Sequence, residues 1–286
     1  MKYTPDEPPG YSAPLRSPVQ ARRSKGGTAA GVIAMLLAFF LKFKTIALLL
    51  LKFKWVLFAA KFLLSGGSLV LSIVLWSRLF GWPFAAGFVL LIFVHEMGHV
   101  FALRARGISA SVPIFIPFMG AFVAMKEMPP DAKVEAYVAL AGPLLGTAGA
   151  AGCYLIGLQT AAPFWFALSS AGFFINLFNM LPVIPLDGGR VVAALSPKLW
   201  AVGLAALVLF ALLRPGAGLI FVSFLILLSL PRIMNAFRPG ALDQPYYKVS
   251  APDRLRIGLQ YFGLAAFQAI MWAASGSAAH VGAVGQ

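Results

Sequence analysis

The decisive stretch of the sequence is Phe88-Val-Leu-Leu-Ile-Phe-Val-His95-Glu96-Met-Gly-His99-Val100, an apolar run that contains two histidines and a glutamate. His95 and His99 are four residues apart, so on a helix they share one face and can bind one metal ion. Glu96 follows the first histidine, where a carboxylate can polarise a zinc-bound water. Ionisable groups inside an apolar helix are costly and mark function. The spacing therefore predicts a zinc site with Glu96 beside it.

The composition predicts a polytopic membrane protein. Of the 286 residues, 60% are hydrophobic and 11% are charged, whereas soluble domains average roughly 45–50% apolar and about 25% charged residues. The apolar residues occur in long blocks, as in membrane-spanning helices. The net charge of +14 indicates cytoplasmic loops and anionic lipid in such a protein, and no nucleic-acid partner. The single cysteine, Cys153, excludes an intramolecular disulfide and is expected to be a packing residue.

The chain divides into four predicted segments. Residues 1–28 are polar and proline-rich, which predicts a disordered cytoplasmic segment and not a signal peptide. Residues 29–64 are apolar but carry lysines throughout, which predicts an interfacial helical segment attracted to anionic lipid. The alternative is a span whose lysines snorkel to the interface. Residues 65–235 form the transmembrane core, and residues 236–286 form a basic segment with a peripheral or membrane helix near 255–273.

Six apolar stretches of the core are predicted to span the membrane: 68–80, 83–103, 135–158, 163–181, 199–213 and 216–231. With the N-terminus inside, all but Arg78 and Arg214 of the 23 Lys and Arg residues lie on the cytoplasmic side. This asymmetry predicts that both termini are cytoplasmic. It also places Arg104 at the cytoplasmic end of the motif helix, roughly 13 Å from His95, so the metal is expected within the bilayer.

Residues 108–130 do not fit a span. They are β-branched and aromatic, and they are interrupted by Pro113, Pro117 and Gly120. This pattern predicts an apolar β-hairpin that is shielded by protein. The predicted fold class is therefore an all-α polytopic membrane protein of about six transmembrane helices, with a short membrane-associated β-hairpin and peripheral helices.

A catalytic zinc site needs a third protein ligand. Asp187 follows span 163–181 on the same side of the membrane as the motif, and the glycines after it allow a sharp bend. Asp187 is the predicted third ligand, and its alternative role is that of a helix N-cap before Gly188. The other acidic residues close to the motif in sequence are expected to be solvated: Glu127, Asp131 and Glu135.

Two motifs, His95-Glu-Met-Gly-His99 and Asn179-Met-Leu-Pro-Val-Ile-Pro-Leu-Asp187-Gly, resemble the site-2 protease family of intramembrane zinc metalloproteases. The resemblance covers roughly residues 66–235 and is to compact prokaryotic members without a PDZ domain. It implies one zinc ion bound by His95, His99 and Asp187. It implies that Glu96 is the catalytic acid/base, that the substrate is a membrane-spanning protein, and that the chain lies in a bacterial inner membrane.

The sequence departs from the family at one position. Many members have Asn three residues after the Gly-Pro of the middle span, where this chain has Gly146. The candidate substrate-positioning residues are therefore Asn176, Asn179 and Gly120. The alternative function is a catalytically silent membrane scaffold or metal-binding regulator of the same fold, against which the intact Glu96 argues. A transporter would show inverted repeats, and none is visible.

Overall fold

The computed structural model describes residues 66–213 and 219–284. The predictions for segments 1–28 and 29–64 therefore lie outside the described residues. The described part contains eight α-helices: α1 (Ser68–Phe80), α2 (Trp82–Arg104), α3 (Ala132–Thr160), α4 (Pro163–Asn179), α5 (Asp187–Leu195), α6 (Leu199–Leu213), α7 (Leu219–Ala236) and α8 (Ala251–Val284). It also contains strands β1 (Ile114–Ile116) and β2 (Gly120–Phe122) and a 3-10 turn at Pro245–Tyr247.

Helix α2 lies at the centre of the bundle, in contact with α1, α3, α4 and β2. Its sequence is apolar on all sides, as expected of a helix surrounded by protein and lipid. Small residues allow α2 and α3 to approach closely, since a Cβ atom on Gly98 would lie 2.7 Å from the carbonyl carbon of Ala141. Close backbone approach at small residues is the usual basis of helix packing in membranes.

The predicted hairpin is present as an antiparallel pair of short strands. Phe115 is opposite Ala121, and an isolated bridge joins Ala110 to Met125. The backbone N–H of Phe115 donates to the hydroxyl of Ser68 at 3.1 Å, which ties β1 to the start of α1. Strand β2 contacts helix α2, and its edge away from β1 pairs with no further strand in the described part of the chain.

The predicted spans agree with the helices within a few residues at most ends. Within residues 66–213 and 219–284, three helices are long and apolar enough to cross a membrane: Trp82–Arg104, Ala132–Thr160 and Ala251–His280. Shorter apolar helices are Ser68–Phe80, Leu199–Leu213 and Val222–Ala236. The mainly helical membrane fold with a small hairpin is therefore confirmed. Helix length and hydropathy do not confirm the predicted count of six spans.

Helix α8 is longer than the predicted 255–273 segment, and it packs against α3, α4 and α5. Lys133 at the start of α3 pairs with Asp253 at the start of α8, at 2.9 Å. Near the middle of both helices, the side-chain amide of Gln268 on α8 donates to the hydroxyl of Thr147 on α3 at 2.8 Å. The two helices therefore run parallel from the same end of the bundle.

The prediction that Glu135 is solvated is wrong. Glu135 is buried and accepts a hydrogen bond from the phenol of Tyr246, in the segment that leads to α8. Burial, together with this hydrogen bond, raises the pKa of Tyr246 above its ordinary value. Asp131 accepts from the backbone N–H of Val134 at 2.7 Å and caps α3. Glu127 is exposed, as predicted.

Candidate metal centre

Three side-chain donor atoms converge between α2 and α5. Asp187 Oδ2 lies 3.0 Å from Nε2 of His95 and 3.2 Å from Nε2 of His99. The two Nε2 atoms are 3.2 Å apart. His95 is 4% exposed and Asp187 is 9% exposed, so the cluster is held away from bulk solvent. The structure thus brings together the three predicted ligands.

The turn between α4 and α5 returns Asp187 to α2. Asp187 is the first residue of α5, and the N-cap position is occupied by Leu186, so the carboxylate is free to face the histidines. Gly188 packs directly on the backbone carbonyl of Met180, and a Cβ atom there would collide with it. A Cβ on Gly189 would lie 2.5 Å from the carbonyl carbon of Val183. Both glycines are therefore required for the tight return of the chain.

Hydrogen bonds on the far side of each imidazole fix its tautomer. His95 Nδ1 donates to Oδ1 of Asn176 at 2.8 Å, and His99 Nδ1 donates to the carbonyl of Val138 at 2.9 Å. The Asn176 amide is itself oriented, because its Nδ2 donates to the carbonyl of Gly172 at 2.7 Å. The Nε2 lone pairs of both histidines consequently point toward Asp187.

This donor set fits a divalent metal ion. Two neutral imidazole lone pairs and a carboxylate oxygen that face one another repel, and protonation of both histidines would place two cationic rings side by side in a buried site. A cation between the three atoms removes the conflict. Two histidines and one carboxylate, with outer hydrogen bonds to an amide and a backbone carbonyl, form the donor set and support that zinc sites use.

Two cavities border the cluster. The first, of about 280 Å³, is lined by His99, Asp187 and Arg190. The second, of about 350 Å³, lies toward α1 and has largely apolar walls. Both are bordered by Glu96, His95 and the β2 residues Gly120 and Ala121. Glu96 therefore lies at the border between the two cavities, beside β2.

The three candidate substrate-positioning residues have different places in the site. Asn179 and Gly120 line both cavities, as that role requires. Asn176 is fully buried behind His95, and its side chain contacts the His95 imidazole instead of lining a cavity. A Cβ atom on Gly146 would collide with the Asn176 amide, so the space at position 146 is already filled from α4.

Sequence reasoning did not predict the two groups that hydrogen-bond to the histidines in these roles. The carbonyl of Val138 carries no sequence signal, because every residue has one. Asn176 was a candidate for substrate positioning, and its hydrogen bond to His95 was not predicted. That hydrogen bond depends on how α4 packs against α2, which sequence alone does not give.

The fold and the site define a membrane protein whose metal-binding motif lies on an apolar central helix. Residues 83–162, which include the His95–His99 motif, match the family described as Peptidase family M50. The resemblance predicted from the two motifs is confirmed.

Three relatives illustrate the similarity. The chain is 29% identical over 177 residues to "Probable zinc metalloprotease EGY1, chloroplastic" of Arabidopsis thaliana, covering 46% of this chain and 31% of the relative. It is 24% identical over 145 residues to "Zinc metalloprotease MJ0392" of Methanocaldococcus jannaschii, covering 46% and 38%. It is 34% identical over 124 residues to "Putative zinc metalloprotease Rip3" of Mycobacterium tuberculosis, covering 38% and 30%. The matches span about a third of the length of these relatives.

Proposed function

We propose that this chain is a zinc-dependent endopeptidase that hydrolyses peptide bonds of membrane-spanning proteins within the bilayer. The observation that carries the proposal is the convergence of His95, His99 and Asp187 beside a glutamate that borders two cavities. The names of the relatives, all zinc metalloproteases, support the choice of metal and of reaction.

The residues of the chain have distinct parts in this reaction. Bound zinc supplies Lewis acidity toward water and the scissile carbonyl. Glu96 accepts the proton of the attacking water and returns it to the leaving amine. Arg190, on the wall of the first cavity, offers a cation toward which the substrate backbone can be oriented. The apolar surroundings exclude bulk water from the site, which strengthens these interactions.

The edge of β2 is the proposed docking line for the substrate backbone. A helical substrate must unwind before its carbonyls are accessible, and an extended segment can then pair with an unpaired strand edge. Gly120 and Ala121 lie on that edge and border both cavities. Asn179 lines the same cleft and is the proposed side-chain donor or acceptor for the substrate. Asn176 acts through His95 and is a positioning residue.

The proposed location is a bacterial inner membrane, with the Arg104 end of α2 in the cytoplasm and anionic lipid at the basic face. The six apolar helices of the core are proposed to span, and the charge asymmetry supports this orientation. The parallel course of α3 and α8 favours α8 as a further span. The end of α8 would then lie outside, which departs from the prediction of two cytoplasmic termini. No Lys or Arg follows Arg256, so the charge asymmetry is unchanged.

The test compares Glu96→Gln with wild type and with Glu127→Gln, a change at an exposed glutamate outside the cavities. Each protein is reconstituted with a single-span reporter, and zinc content and cleavage are both measured. We expect Glu96→Gln to retain zinc and to lose roughly 10²- to 10⁴-fold in cleavage rate, and Glu127→Gln to match wild type. Wild type that binds zinc without Glu96-dependent cleavage would instead identify the silent scaffold.

A further inference from the structure

The second cavity has a chemical character that the proposed reaction does not require. Its walls include Trp76 of α1, Phe88 of α2 and Phe118 of the hairpin turn. The ring centroid of Trp76 lies 5.4 Å from that of Phe88 and 5.2 Å from that of Phe118. We call this the aromatic pocket. Three separate elements of the fold thus contribute one aromatic side chain each to a single surface.

Phe118 forms the outer lip of the aromatic pocket in an uncommon backbone conformation. Its φ angle is +64°, a region that a bulky residue rarely adopts. The residue is 53% exposed, so burial of the Phe118 ring does not explain this backbone conformation. The conformation brings the ring to the indole of Trp76 across the mouth of the cavity. Such local strain is commonly found where a side chain is held for binding.

The aromatic pocket and the cavity on the other side of Glu96 both have mainly apolar walls, and they differ in the groups set into those walls. The first cavity also contains His99, Asp187 and the guanidinium of Arg190, whereas the aromatic pocket contains the rings of Trp76, Phe88 and Phe118. Because side chains alternate along an extended peptide, a substrate paired with β2 presents one side chain to this region, next to the bond attacked by the water that Glu96 deprotonates. Gly120 at the border carries no side chain that would block entry.

We propose that the aromatic pocket is a specificity site that binds a large apolar side chain, such as Leu, Met or Phe, on the residue adjoining the scissile bond. The proposal rests on the proposed proteolytic function. The occupant is assigned to the substrate because the pocket is continuous with the catalytic cleft at His95 and Glu96. Discrimination by an apolar pocket between large and small side chains is worth roughly 10- to 200-fold in kcat/KM.

The test uses a panel of single-span reporters that differ only at the residues around the cleavage site, with Ala, Leu, Phe or Asp at each position in turn. Cleavage sites are located by mass spectrometry, and kcat and KM are measured for wild type, Trp76→Ala and Phe118→Ala. The matched control is Phe101→Ala, since Phe101 is 56% exposed on α2 and lines neither cavity. Zinc content is measured for every protein.

We expect wild type and Phe101→Ala to favour Leu or Phe over Ala at least tenfold at one fixed position next to the cut. Trp76→Ala and Phe118→Ala should lose most of that preference through KM while they keep zinc. An unchanged preference in both variants, or none in wild type, would overturn the proposal. Quenching of tryptophan fluorescence by brominated acyl chains that is reduced in Trp76→Ala, without any side-chain preference in cleavage, would assign the pocket to lipid and also overturn the proposal.

The outcomes separate this inference from the function on which it rests. Glu96-dependent cleavage without a residue preference contradicts only the specificity site. If wild type shows no Glu96-dependent cleavage of any reporter, the proteolytic function fails, and the specificity site fails with it.

Discussion

Asn176 holds His95 from a helix that carries no metal ligand. Its side-chain oxygen accepts from Nδ1 of His95 at 2.8 Å, and its amide nitrogen is fixed by the carbonyl of Gly172. Gly146 on the neighbouring helix leaves the space that this amide occupies. The orientation of one ligand therefore depends on the packing of α3 against α4, two helices that flank the motif helix.

Replacement of Asn176 by Ala should weaken zinc binding by about 10- to 100-fold, since residues that orient a ligating histidine have effects of that size. The measurement is a competition titration with a zinc chelator. Asn179→Ala is the matched control, because the Asn179 amide donates to the carbonyl of Ile175 at 3.0 Å and not to a ligand. We expect that control to bind zinc normally and to cleave more slowly. Equal zinc affinity in Asn176→Ala and wild type would contradict the assigned role.

Gly146→Ala should reduce zinc affinity although residue 146 contacts no ligand. The added Cβ atom would collide with the Asn176 amide and displace it from His95. Gly152→Ala on the same helix is the control, because a Cβ atom there meets nothing within 4 Å. In an Asn176→Ala background the Gly146→Ala change should cost less, since the colliding atoms are gone. Additive effects of the two changes on zinc affinity would count against this coupling.

Asp187→Asn should reduce zinc binding more than any change in the outer supports. The variant keeps the shape of the side chain and removes the charge that faces both histidines. Asp243→Asn, at an exposed position in the segment before α8, should leave zinc content unchanged. Elemental analysis of purified protein measures both. A full zinc complement in Asp187→Asn after dialysis against a chelator would remove Asp187 from the ligand set.

Tyr261→Phe should lower zinc affinity by about 2- to 10-fold, the value of one hydrogen bond. The buried phenol of Tyr261 donates to the carbonyl of Met180, against which Gly188 packs beside Asp187. Tyr154→Phe is the control, since the Tyr154 ring contacts Phe166 and not the ligand loop. Zinc affinity should be lower in Tyr261→Phe at every pH at which the protein is folded. An unchanged zinc affinity would show that α8 packs against the bundle without supporting the loop that carries Asp187.

The direction of α8 can be measured with single cysteines in a Cys153→Ser background. Cys153 is buried in the bundle, so its removal leaves a protein without native thiols. A membrane-impermeant maleimide should label Lys248→Cys from the cytoplasmic side and His280→Cys from the opposite side, since both positions are exposed. Labelling of both from the cytoplasm would place α8 on the membrane surface and restore the prediction of two cytoplasmic termini.

The sequence was sufficient for much of the bundle and for naming the three side chains that converge, which are His95, His99 and Asp187. Apolar blocks that end at proline, glycine or charge predicted the helices from 68 to 213 closely, because hydropathy and chain breakers act locally. The ligands were accessible because His95 and His99 lie one helical turn apart and Asp187 sits in a recognisable turn. The burial of Glu135 could not be predicted, because its hydrogen-bond partner, Tyr246, is 111 residues away in the sequence. The direction of α8 could not be predicted either, because its contacts with Thr147 and Met180 also join distant parts of the chain.

The contacts of α8 have a consequence for the order in which the bundle assembles. Synthesis proceeds from the N-terminus, so the histidines and Asp187 enter the membrane before α8 exists. Glu135 and the carbonyl of Met180 gain their tyrosine partners only when the segment from Tyr246 to Tyr261 has followed. The hydrogen bonds from Tyr246 and Tyr261 to the bundle are thus formed last, after His95, His99 and Asp187 have been inserted.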